Sequence, residues 1–166
     1  MSEHIVLIPK TSHSHTLKGN FEWVFDEGNF RATANTFYLS DWSMGDKPQW
    51  VFSGSIGQVV TDNYVGFLFM IPYINNEPLD RSYQLSDGLY ATYSYSIPPP
   101  PQYHTVRQHK ADSATLKVKL DPSAGTVEAT FEATFTIDST EKKATGQFNL
   151  LRDDLASEPG HHTHTS

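Results

Sequence analysis

Residues 125–137 read GTVEATFEATFTI. Val127, Ala129, Phe131, Ala133, Phe135 and Ile137 share one parity, while Glu128, Thr130, Glu132, Thr134 and Thr136 share the other. Successive side chains of a strand point to opposite sides. The stretch therefore predicts a strand with one dry face and one wet face, and it places Phe131 and Phe135 in a core.

The flanking segments repeat the pattern. Ala114, Leu116, Val118 and Leu120 alternate with Thr115, Lys117 and Lys119. Ala144, Gly146, Phe148 and Leu150 alternate with Lys143, Thr145, Gln147 and Asn149. Residues 121–125 (DPSAG) and 138–142 (DSTEK) have turn chemistry. Links this short join antiparallel neighbours, because a parallel pair needs a crossover of a dozen or more residues. The three segments predict a meander whose wet face sets Lys and Thr against Glu and Thr, a favourable cross-strand combination.

Upstream, Leu17, Gly19, Phe21, Trp23 and Phe25 alternate with polar residues, and Asp26 to Asn29 read as a hairpin turn. Phe30, Ala32 and Ala34 continue on one parity, and Phe37 and Leu39 on the other, which predicts a bulge between Ala34 and Phe37. Residues 5–8 form a short strand. Trp50, Phe52, Gly54 and Ile56 start another, which Val59 and Val60 extend past Gly57. Residues 65–73 are nearly all apolar, as in a strand buried on both faces or at an interface. Residues 88–97 form a further strand, ended by the prolines at 98–101. Residues 102–112 read as a connection with at most a short edge strand near Val106.

No helical period runs through the chain. About eight to ten antiparallel strands with short turns predict an all-β fold, an antiparallel β-sandwich of two packed sheets ending in the meander. A closed antiparallel barrel is the alternative. With 166 residues, one domain over residues 1–152 is expected, followed by a disordered polar tail at 153–166.

The net charge of −7 argues against nucleic acid, which asks for a basic stripe, and against anionic membrane surfaces. The absence of cysteine excludes disulfides, Cys-ligated zinc and thiol catalysis. Residues 1–8 lack a basic leader start, so a cytoplasmic location is expected.

Candidate sites follow from residue type. His13 and His15 form a His-x-His pair, which on a strand would present both rings to one metal, with His104 or His109 completing a set of three. Asp41, Trp42 and Asp46 set one large ring between two acids in a loop. Tyr90 and Tyr103 are aromatics at strand ends. Rings beside hydrogen-bonding groups are what a protein uses to hold amphipathic ligands. Loop oxygens at 62, 63, 75–77, 80 and 87 lack the spacing of a calcium loop, and turn-forming Asp and Asn occur for local reasons. There is no Gly-x-Ser-x-Gly, phosphate loop or nucleotide fingerprint.

These features favour a non-enzymatic binding module without cofactor, holding carbohydrate or another small polar ligand at its end loops. The alternatives are a self-associating structural β protein, which would be a homo-oligomer, and a barrel carrying a small apolar ligand. For the last, Gly19 and Trp23 resemble the Gly-x-Trp of lipocalins at a longer spacing.

Overall fold

The structure is a computed structural model that describes residues 3–9, 18–40 and 47–155. Among the described residues, twelve strands form two six-stranded antiparallel sheets. Sheet I contains β1 (Glu3–Pro9), β4 (Ala34–Ser40), β5 (Gln49–Ile56), β6 (Val65–Pro72), β8 (Tyr90–Ile97) and β9 (Tyr103–Lys110), in the order β1-β9-β8-β6-β5-β4. Sheet II contains β2 (Gly19–Phe25), β3 (Gly28–Arg31), β7 (Leu79–Gln84), β10 (Ser113–Asp121), β11 (Thr126–Ile137) and β12 (Thr140–Leu151), in the order β3-β2-β12-β11-β10-β7. Two short 3-10 turns, at Val59–Thr61 and Leu85–Asp87, are the only helical elements among the described residues. Among the described residues, no helix is long and apolar enough to cross a membrane.

The meander forms, with a turn shorter than the segment 138–142 suggests, since β12 starts at Thr140. Lys117 pairs with Thr130, Lys119 with Glu128, and Thr134 with Lys143. Local chemistry sets its two turns. Asp121 Oδ1 accepts from the amides of Ser123 and Ala124, and Gly125 closes that turn at φ +69°. Asp138 and Ser139 both adopt positive φ between Ile137 and Thr140, the backbone signature of a type I′ hairpin. Asp26 and Glu27 repeat it between Phe25 and Gly28.

The two dry faces meet through aromatic rings. Phe131 and Phe148 of sheet II pack 4.6 Å from Phe69 and 5.4 Å from Phe52 of sheet I, between ring centroids. Phe21 stacks on Phe148 at 4.9 Å. Side chains from two inner faces interdigitate in this way in aligned sandwiches. The sheets do not close into a barrel, so the barrel alternative is set aside. Phe131 and Phe135 are buried, as the alternation predicts.

Several expectations change. The bulge expected between Ala34 and Phe37 is absent: β4 runs unbroken there, and the phase changes earlier, at a change of sheet between Ala32 and Thr33. The amide of Ala32 donates to Phe21 in sheet II, and the next amide, Thr33, donates to Ser55 in sheet I. Val59 and Val60 lie in a 3-10 turn, outside any strand. Residues 103–110 are an eight-residue inner strand between β1 and β8, not a connection. Its core-facing residues are Thr105, Arg107 and His109, so no apolar alternation marks it. Asp153 and Asp154, which the sequence places at the start of the tail, hydrogen-bond to β4.

Candidate functional site

Asp41, Trp42, Asp46, His13 and His15 lie outside the described residues. Tyr90 and Tyr103 are described, and they are apart. Tyr90 opens β8 half-buried, with the Lys110 ammonium 5.2 Å from its ring centroid. Tyr103 opens β9 and is exposed. Lys110 stands seven residues along the same strand from Tyr103, roughly 23 Å at the rise of a strand. The two rings occupy opposite ends of the β8–β9 pair.

The other histidines are engaged separately. His104 Nδ1 lies 2.8 Å from Asp62 Oδ1 on the outer face of sheet I. His109 faces the core side, stacked on Tyr95 with its Nε2 3.2 Å from the phenol oxygen. An odd separation on one strand sends their rings to opposite faces. Among the described residues, no three His, Cys, Asp or Glu side chains gather to hold a metal.

The loop oxygens serve their own turns. Asn63 Oδ1 accepts from the Gln58 amide, Asn75 Oδ1 from the Glu77 amide, and Asp87 Oδ2 from the Gln84 amide.

A different surface gathers polar groups: the outer face of sheet II. The register aligns one residue from each of its six strands in a transverse row, Ser82, Lys117, Thr130, Gln147, Glu22 and Arg31. One side of it lies the row Asp80, Lys119, Glu128, Asn149 and Asn20. On the other side lies Gln84, Thr115, Glu132, Thr145, Val24 and Asn29. Val24 is the one apolar member.

Two adjoining open hollows of about 800 and 580 Å³ lie over these rows, and both are lined by Glu22, Arg31, Lys117, Thr130 and Gln147. Short threonines make the floor, and the longer Glu, Lys, Arg and Gln side chains make the walls. Four strand spacings separate Lys117 from Arg31, roughly 19 Å. Phe30 pairs with Trp23, so its ring lies on the inner side of sheet II, 5.8 Å from that of Trp23 and partly exposed at the β3 edge.

Ion pairs hold the walls. Arg31 Nε lies 3.8 Å from Glu22, and its Nη2 bonds Asn20 Oδ1. Lys119 lies 4.0 Å from Asp80, and Lys143 3.7 Å from Glu132. These pairs are exposed, so each contributes little stability. What they do is orient donors and acceptors across the face.

The clearest titration shifts lie elsewhere. Burial, then the neighbouring Tyr95 and Asp26, pushes the Tyr93 phenol up to about 12. Burial also raises Tyr64 and Tyr90. All three phenols therefore keep their protons at neutral pH.

The sequence exposes the meander's share of the hollowed face. It does not show that β2 and β3 join one side and β7 the other, which brings in Glu22, Arg31 and Ser82. No family model, curated protein or solved structure matches this chain. Fold and site together define an antiparallel β-sandwich with a polar trough across one outer face.

Proposed function

We propose that this chain is a non-enzymatic binding module whose ligand is an uncharged, hydroxyl-rich chain such as a glycan. The ligand lies across the strands on the outer face of sheet II, in place of the end loops that the sequence suggests. One observation carries this reading: a single polar row runs from β7 to β3, and its five members from β10 to β3 line both hollows.

The groups fit the chemistry. Gln147, Asn149, Asn20 and Asn29 each offer donors and an acceptor, Thr and Ser hydroxyls offer both, and carboxylates and Lys117 extend the range. A sugar hydroxyl also donates and accepts, so such a surface can satisfy it at each step.

The test is a glycan array followed by titration of the best ligand against Lys117→Ala and Gln147→Ala. Both are exposed or at the trough wall, where truncation changes stability by only about 0.5 kcal/mol. Each should weaken binding by roughly tenfold, the equivalent of one good hydrogen bond. Ligand binding that both variants leave unchanged would remove this face from consideration.

A further inference from the structure

β4 is the outermost strand of sheet I, and its sequence, ANTFYLS, has neither charge nor proline. An open edge of this composition is a template for another strand. Here its outward side is occupied by residues just after β12. The Phe37 amide donates to Asp153 Oδ2 at 2.8 Å, and the Asp153 amide donates back to the Phe37 carbonyl at 2.8 Å. Two residues on, the Leu39 amide donates to Asp154 Oδ2 at 2.9 Å. Alternate residues of a strand expose their backbone groups on the same edge. The two carboxylates thus meet the amides that a seventh strand would take.

Arg152 secures this strap. Its Nε bonds Asp154 Oδ1 at 2.6 Å, its Nη1 bonds the Pro122 carbonyl at 3.2 Å, and its guanidinium sits 4.8 Å from the Trp50 ring centroid. Lys18 Nζ lies 3.8 Å from Asp153. On β4 itself the strap is held by two carboxylates and one backbone bond, far less than a ladder.

We propose that residues 152–154 are a displaceable strap over a dormant pairing edge, and that β4 of a second copy of this chain takes the edge when the strap leaves. Two identical edges meeting antiparallel about a two-fold axis are self-complementary. An uncharged strand opposes no like charges across that axis. The amides of Phe37 and Leu39, now met by carboxylates, would then find carbonyls of the second copy.

The experiment is sedimentation equilibrium of the full chain at neutral pH, with hydrogen exchange read at Phe37 and Leu39. Wild type should sediment as one chain. Asp153→Ala with Asp154→Ala should double in mass with concentration, and protection at the two amides should rise in step. Adding Leu39→Pro, which deletes an outward donor on an edge strand, should return the mass to one chain. A folded double variant that stays single at every concentration overturns the proposal. So does open-ended aggregation, or a dimer that Leu39→Pro leaves intact. Should the double variant fail to fold, Asp154→Ala alone frees only the Leu39 amide. It should still pair at high concentration, and a single chain throughout overturns the proposal equally.

Discussion

Asp154 shows how one carboxylate is tuned by its neighbours. Partial burial alone would push its pKa up. Hydrogen bonds from Arg152 and the Leu39 amide, with the Arg152 charge, outweigh burial and hold it below the usual carboxylate range. The adjoining Asp153 pairs instead with Lys18, whose Nζ lies 3.8 Å from it. A carboxylate with a depressed folded pKa adds stability that is fully present above its unfolded value, near 3.9, and is lost as pH falls through the folded value. Urea unfolding between pH 7 and pH 2.5 should show wild type losing more stability below about pH 4 than Asp154→Asn, which cannot titrate. Parallel curves for the two proteins would mean the strap carries no charge-linked stability. Such a role could not be read from the sequence, where Asp153 and Asp154 look like the start of a polar tail. Gly54 is a second case. A Cβ there would stand 2.3 Å from the Phe21 ring, and nothing local in residues 49–56 announces a ring arriving from the other sheet.

At the scale of elements, legibility followed the strength of one-sided burial. β10, β11 and β12 from Ala144 onward have a dry face and a wet face, so period-two alternation identifies them, while the polar start of β12 at Thr140–Lys143 looks like turn. β9 has Thr105, Arg107 and His109 on its core side, and a strand with a polar inner face looks like a loop. The β3–β4 passage was misread because a change of sheet and a bulge both shift parity. Hairpins offer a quantitative test. Ser139 holds φ +66° in the β11–β12 turn, a region costing a non-glycine residue roughly 1–2 kcal/mol. Glycine there relieves that cost but loses about 0.5–1 kcal/mol in chain entropy. The first effect is larger, so Ser139→Gly should stabilise the protein by on the order of 0.5 kcal/mol, measured as a raised urea midpoint at unchanged slope. A lowered midpoint would show that the serine makes a compensating contact in the turn.

At the scale of the whole molecule, the sandwich separates its functions by surface. The aromatic interior fixes the sheets, and three of the four edge strands are guarded. β3 is four residues long, β4 is strapped, and β7 carries Asp80 with Arg81 turned to the core side over Tyr83. The outer face of sheet II is left as the broad polar surface, and its charge balance differs from that of the chain. The chain carries −7, whereas the three transverse rows hold four carboxylates (Glu22, Asp80, Glu128, Glu132) and three cations (Arg31, Lys117, Lys119). An uncharged ligand on nearly balanced ground gains from hydrogen bonds and little from long-range field. Salt shortens the Debye length from about 10 Å at 0.1 M to about 3 Å at 1 M, which weakens charge attraction and leaves neutral hydrogen bonding largely alone. Glycan affinity measured by calorimetry over that range should therefore shift by less than about twofold. A ligand held by Lys117 as an anion would instead lose affinity steeply with salt, and a steep loss would exclude the uncharged class while leaving the trough itself in place.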